Sequence, residues 1–261
     1  MNISLKNKIA LVGGSSGGIG RAIAKQLAAC GASVTLMARD EAKLNLVKNE
    51  LPVSAGQKHR ILIADFNRHE DFKEKVQDYF ASNSVDILVN NTNGPQAGNI
   101  GQKNLNDYQN AFDLLFQNNC FTTLQALPYM KANNFGRVIN VSSLTVKEPL
   151  ANLVLSNTMR SAWLSWNKSL SQDVAADGIT VNTILTGLFD TERITSLTKT
   201  EAEKTGKTFQ DILNKRIAQI PAGRLGKPEE YGYLVAFLAS EYASFLTGSN
   251  IPLDGGMYKG F

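Results

Sequence analysis

The 261-residue sequence predicts an open, doubly wound α/β sheet. Three observations predict it. Short apolar runs recur along the whole chain, and most are unbroken rather than alternating, as parallel strands buried on both faces require. Amphipathic stretches such as GRAIAKQLAACG and EDFKEKVQDYFASN separate them, which implies right-handed βαβ units. A glycine cluster, GGSSGGIG at 13–20, lies between the first apolar run and the first helical stretch. The length is near the upper limit for one domain, and no linker, repeat or low-complexity tract divides it.

Seven strands are expected, at KIALVG (8–13), SVTLMA (33–38), RILIA (60–64), DILVN (86–90), RVINVS (137–142), TVNTIL (180–185) and NIPLD (250–254). DEAKLNLVKNEL reads as a helix capped by Asp40. Segment 188–220 breaks the rhythm: it is polar and helical, with no strand before the helix that starts near Pro228. An excursion of that length in a compact domain predicts a lid. Its apolar residues (Phe189, Ile194, Leu197, Phe209, Ile212, Leu213 and Ile217) read as packing residues or contacts to an apolar ligand.

The composition narrows the classes. Hydrophobic content is 43% and charged content 19%, as in ordinary globular proteins. Net charge is only +4, without a long Lys/Arg run, so nucleic acid is not the expected partner. Cys30 and Cys120 lie far apart within helical patterns and read as free thiols of a reducing compartment. The first residues show no signal peptide, and no apolar run is long enough to span a membrane. A cytoplasmic protein without a membrane partner is expected. Two histidines and two scattered cysteines make no metal-ligand spacing.

In GGSSGGIG, Gly14, Gly18 and Gly20 allow a tight turn and close backbone approach to a diphosphate at the positive end of the following helix. The spacing is G-x-x-x-G-x-G. At the end of the second strand the run is LMARDEAKL, where Ala38 is followed by Arg39. A guanidinium suits a 2′-phosphate by charge and by bidentate geometry, so NADP(H) is favoured over NAD(H).

The loop spacing resembles the short-chain dehydrogenase/reductase family, and four further segments resemble it in order: NNTNG (90–94), NVSS (140–143), VNTILTGLFDT (181–191) and FLASEYASFLTGSNIPLDGG (237–256). In the third of these, Thr186 stands where proline is usual. The last is similar to the ending of β-ketoacyl carrier-protein reductases. The resemblance implies a Rossmann-type seven-stranded parallel sheet in the order 3-2-1-4-5-6-7, in a single domain, and a homotetramer or homodimer. It also implies coenzyme contacts from Gly14, Ser16, Gly18, Ile19 and Gly20, from Asp65 at the adenine, from Asn90 and Gly94 on the adenosine side, and from Gly187 and Thr191 towards the nicotinamide.

The family's usual catalytic set is Asn, Ser, Tyr and Lys. By segment, Ser143 takes the serine place, Ser156 the tyrosine place and Arg160 the lysine place; Leu115 falls at the asparagine place, with Asn118 and Asn119 one turn later as possible substitutes. SNTMR (156–160) resembles a branch that carries S-N-x-x-R where Y-x-x-x-K is usual, and SSLTVKEP and PAGRLGKPEE resemble that branch too. A serine hydroxyl is a far weaker acid than a phenol, and arginine stays charged above pH 12, so it cannot relay a proton as lysine can. Arg160 can still hold ribose hydroxyls. A water polarised by Ser143, Ser156 and Arg160, or the Lys147 ammonium, are the alternative proton sources. Ser156 also reads as a helix N-cap, and Lys147 as a surface lysine beside Glu148.

Two functions compete: an NADPH-dependent reductase of a carbonyl such as a 3-oxoacyl thioester, and a dinucleotide-binding sensor or assembly protein without turnover. A serine hydrolase is disfavoured, because His59 and His69 both lie near the third strand, away from the serines.

Overall fold

The computed structural model describes residues 2–260. Its sheet contains β1 (Ile9–Gly13), β2 (Ser33–Ala38), β3 (Arg60–Ile63), β4 (Ile87–Asn90), β5 (Gly136–Val141), β6 (Ile179–Thr186) and β7 (Asn250–Leu253). All pairings are parallel and the order is β3-β2-β1-β4-β5-β6-β7. Every expected strand is present within one residue at either end.

Both faces of the sheet are covered, which is why the strands read as unbroken apolar runs. On one face Val12, Val34 and Val89 meet α1 (Gly18–Ala29), α2 (Glu41–Glu50) and α9 (Pro228–Ala239) through Ile23, Leu27, Leu44 and Val235. On the other face Leu11, Leu88 and Val138 meet α3 (His69–Ser82), α5 (Asn118–Ala132) and α6 (Val154–Val174) through Phe72, Val76, Leu127 and Leu170. Alternate residues of one strand thus feed two separate cores. Trp163 on α6 is fully buried in this packing.

α5 follows α4 (Leu105–Phe112) through one π-turn, Asp113–Gln117. Segment 188–220 forms α7 (Glu192–Thr205) and α8 (Phe209–Ile217), joined at Gly206, whose φ is +67°. An Arg216–Glu201 ion pair of 2.6 Å ties the two helices. Phe189 and Ile212 are buried packing residues, whereas Leu197 and Phe209 are exposed.

The topology decides where chemistry can happen. From β1 the chain winds outward in one direction, and from β4 in the other, so a crevice opens at the carboxyl ends of these strands. The loops that follow β1 to β6 all reach that edge. They carry the glycine cluster, Arg39, Asp65, Asn90–Gly94, Ser143 and Gly187–Thr191.

Candidate active site

The glycine loop is built as its residues require. Gly14 and Gly18 have φ of +56° and +52°, the left-handed region that glycine enters without strain. A Cβ on Gly20 would run into the Gly14 carbonyl, so glycine there lets the helix start against the loop. Asn91 Nδ2 donates to the Gly13 carbonyl at 2.9 Å and ties the loop to the end of β4. The N-cap of α1 is Gly17, with no side chain to cap the helix. The amides of its first turn therefore remain for an outside acceptor, at the positive end of the helix dipole. Ser16 and Ile19 flank that turn, and Thr191 sits over Gly18, within van der Waals reach of a Cβ built there. A diphosphate fits this cradle by charge and by its need for donors.

Arg39 and Asp65 follow neighbouring strands. Arg39 is exposed and makes no ion pair among the described residues. Burial pushes the Asp65 carboxyl up, but hydrogen bonds from Asn67 and the charges of Arg39 and Arg68 outweigh it, leaving a net downward shift. Its Oδ1 accepts from the Asn67 backbone and side chain at 3.0 and 2.9 Å. Asp40 caps α2 as expected, accepting from the Lys43 amide at 3.0 Å.

The Asn90 side chain departs from its expected place. It turns inward and donates to Thr123 Oγ1 and Asn140 Oδ1, both at 2.9 Å, so only its backbone can face the cleft. Gly94 does reach the cleft, beside the Arg193 guanidinium. Gly187 is required by packing, since its Cβ would lie 2.6 Å from the Asp254 Cα. Thr191 caps α7, its Oγ1 3.5 Å from the Ile194 amide.

Ser143 stands at the end of β5 and opens a short 3-10 turn. Its Oγ accepts from the Thr145 amide at 3.2 Å, which leaves its proton free to donate. Ser156 and Arg160 share one face of α6, and Arg160 Nε donates to Ser156 Oγ at 3.2 Å. Arg160 Nη1 donates to the Val141 carbonyl at 2.9 Å, which anchors the pair to the strand that carries Ser143. Ser156 is not the helix N-cap: α6 starts two residues earlier, after Leu153. The reason is long-range, because Leu153 and Val154 are pinned to Gly98 by a parallel bridge and a 3.4 Å hydrogen bond.

Arg160 is only 8% exposed. Burial pulls its guanidinium down to about 10; repulsion from Arg193 adds to the fall and Tyr231 opposes it. Burial thus narrows the margin by which the guanidinium keeps its proton, and Arg160 remains a cation at neutral pH. Tyr231, fully buried on α9, hydrogen-bonds to Thr186 Oγ1 at 3.0 Å and packs edge-on against Phe189. Burial pushes that phenol up, against the opposing pull of Thr186 and Arg160.

Lys147 closes the 3-10 turn and is exposed. Glu148 is turned elsewhere, accepting from the Lys259 amide at 3.2 Å. Asn118 and Asn119 do not reach the cleft. Asn118 is tied to the Phe66 carbonyl and His69, and Asn119 donates to the Leu115 carbonyl at 2.7 Å within the π-turn. Leu115 itself is fully buried. His59 Nδ1 accepts from the Val34 amide at the opposite end of the sheet, so it cannot serve Ser143. Among the described residues no cluster of three metal-binding side chains occurs.

A cavity of about 550 Å³ opens beside the glycine loop, on the outer side of α1. Its wall mixes Arg21, Lys25 and Lys43 with Glu50, and Arg21 pairs with Glu50 at 2.6 Å. Ser143, Ser156 and Arg160 do not line it: Ser143 follows β5, and the Ser156–Arg160 pair lies in the first turns of α6.

The family profile described as enoyl-(acyl carrier protein) reductase matches residues 14–258. The chain belongs to the short-chain dehydrogenase/reductase family. The 3-oxoacyl-(acyl-carrier-protein) reductase of Aquifex aeolicus is 29% identical over 99% of this chain and 100% of the relative. An NADPH-dependent reductase of Bacillus subtilis is 30% identical over 98% of this chain and 99% of the relative. The L-sorbose reductase from Gluconobacter frateurii, solved with NADPH and L-sorbose, shares the dehydrogenase/reductase fold with a TM-score of 0.93 at 29% identity, over 100% of both chains.

Of the residues that shape the site, Asn91, Arg193 and Tyr231 escaped the sequence reading. Asn91 stood inside a quoted motif. Arg193 stood two residues after Thr191, among lid residues weighed only for their apolar members.

Proposed function

We propose that this protein is an NADPH-dependent carbonyl reductase that works without a phenol at the tyrosine place. One observation carries the reading. The free hydroxyl of Ser143 and the Ser156–Arg160 pair, anchored on Val141, converge at the same strand edge as the uncapped glycine cradle. The coenzyme, when bound, supplies the hydride. Gly14, Ser16, Gly18, Ile19 and Gly20 would hold its diphosphate, Arg39 its 2′-phosphate and Asp65 its adenine. The Gly94 and Asn90 backbone would border the adenosine side, and Gly187 and Thr191 the nicotinamide. Arg160 would hold the ribose. Ser143 would hydrogen-bond, through its free O–H, to the substrate carbonyl oxygen, which gains charge as the carbon is reduced. The proton comes to that oxygen from a water held by Ser143, Ser156 and Arg160, or from Lys147, across the turn from Ser143. α7 and α8 would close over the substrate as a lid. A 3-oxoacyl thioester is the substrate of the Aquifex relative and a first candidate here.

A fluorescence titration with NADPH and NADH tests the coenzyme half. NADPH is expected to bind at least tenfold more tightly, and Arg39→Ala to abolish the preference while leaving NADH affinity within about threefold. A ketone and thioester panel tests the chemistry: Ser143→Ala is expected to lower kcat roughly 10²–10³-fold. Failure of every panel member to raise NADPH oxidation above the blank would refute the reductase.

A second reading, a coenzyme-binding sensor without turnover, is favoured by Ser156, whose Oγ is already engaged by Arg160. The double variant Ser156→Tyr, Arg160→Lys separates the two. Ketone reduction gained only in that variant means a competent pocket that lacks its acid.

A further inference from the structure

We propose that Arg193, with the positive charge of Arg160 behind it, recognises a carboxylate carried by the substrate beside its carbonyl group, so that the natural substrates are oxo acids. The inference rests on the reductase reading above and names its substrate class.

Arg160 is a buried cation without an anion. Among the described residues its hydrogen bonds run only to a serine hydroxyl and a backbone carbonyl, and no carboxylate of theirs influences it. A buried charge normally has an oppositely charged partner, because desolvation costs several kcal/mol. Here the nearest charged influence is another cation, Arg193, whose repulsion adds to the fall in the Arg160 pKa.

Arg193 is a second anomaly. It is the second residue of α7, at the positive end of the helix dipole, where a cation is disfavoured. It is exposed and makes no ion pair among the described residues. Its guanidinium crosses the cleft to the loop after β4, where Nη2 lies 3.0 Å from the place a Cβ on Gly94 would occupy. Glycine at 94 leaves room for that crossing.

Three unfavourable terms therefore bear on these two side chains: a buried cation, a cation at a helix N-terminus, and their mutual repulsion. An anion in the field of both relieves all three. Guanidinium groups suit the planar, two-oxygen geometry of a carboxylate. Two sources of anion compete, the substrate and the coenzyme diphosphate. The diphosphate already has the uncapped first turn of α1 at Gly17–Gly20, just after β1. Arg160 sits two strands away, beside β5 and Ser143, where the reacting carbonyl belongs. In the reaction the C=O π bond opens, hydride from NADPH forms the C–H bond, and the oxygen takes a proton from water. The product is a hydroxy acid, with NADP⁺.

Oxalate, a planar dicarboxylate that cannot be reduced in this way, is the probe. It is titrated by calorimetry into the protein saturated with NADPH and into the protein alone. Binding is expected below about 1 mM, weakened at least tenfold in Arg193→Leu and largely kept in Arg193→Lys, with NADPH affinity within about twofold. Pyruvate and acetoacetate are expected to be reduced with kcat/KM at least tenfold above their methyl esters, a ratio that collapses in Arg193→Leu. Equal oxalate binding by wild type and Arg193→Leu, or equal use of acids and esters, overturns the proposal. So does a tenfold loss of NADPH affinity in Arg193→Leu with oxalate unchanged, which would assign Arg193 to the diphosphate. Failure of NADPH to bind refutes the reductase reading instead, and the titration of the protein alone still decides for or against the two-arginine site.

Discussion

Arg160 shows how burial changes what a residue can do. In water its guanidinium would hold its proton well above the lysine range; behind Val141 its pKa falls to about 10. Below pH 10 both folded and unfolded chains carry the charge, and folding bears the full desolvation penalty, roughly 3 kcal/mol. Above pH 10, and up to the ordinary arginine range, the native protein gives up the proton while the unfolded chain keeps it. The unfolded state then binds more protons, so this group's contribution to stability rises with pH in that window. Urea denaturation of wild type and Arg160→Met at pH 9 and pH 11 isolates the effect. Wild type is expected to gain about 1 kcal/mol on the variant between those two values. A difference that stays flat would mean that Arg160 titrates above that range. The sequence could not disclose this, since the burial of position 160 depends on Val141 and α6 folding together.

The helices of segment 188–220 are held by local chemistry that can be removed piece by piece. Thr208 and Asp211 cap α8 reciprocally: the Asp211 amide donates to Thr208 Oγ1 at 3.1 Å, and the Thr208 amide to Asp211 Oδ2 at 3.3 Å. Thr208→Ala is expected to destabilise α8 by about 1 kcal/mol, read as roughly fivefold faster amide exchange confined to α8 and its contacts. If α7 and α8 form the lid, KM rises in the same variant while coenzyme affinity holds. Caps and turns act over a short range, and two were legible in advance: the turn glycines at 14 and 18, and Asp40 before α2, each act within four residues. The T-x-x-D of α8 is equally local but was not read. The seven strands were legible for a related reason, since burial on both faces leaves only apolar residues. What stayed hidden was contact across the sheet. Ser156 was misread as a cap because the helix start is set by Gly98, far away in sequence. Asn90 was placed by its motif, but its side-chain direction is set by Thr123 and Asn140. The Thr186–Tyr231 hydrogen bond joins residues 45 apart, and no local pattern announces it.

The assembled chain leaves large apolar side chains of its α4–α5 segment exposed. Leu105 at the start of α4 is 85% exposed and Leu124 on α5 is 54% exposed. Such residues on the α4–α5 segment fit the homotetramer or homodimer that the resemblance implies. Size-exclusion with light scattering is expected to give two or four chains for wild type, and one chain for Leu105→Glu, Leu124→Glu with an unchanged far-ultraviolet spectrum. A wild-type protein of single-chain mass would end that expectation. Among the described residues no helix is long and apolar enough to cross a membrane. The two cysteines remain unpaired, and Cys120 lies buried on α5, its thiol pushed up to about 12 by burial alone. At neutral pH on the order of one such thiol in 10⁵ is ionised, so an alkylating reagent finds almost nothing to attack while α5 stays seated. The molecule thereby carries a stopwatch: the rate at which Cys120 is labelled counts how often that flank lifts away, and anything that grips the strand ends should slow the hand.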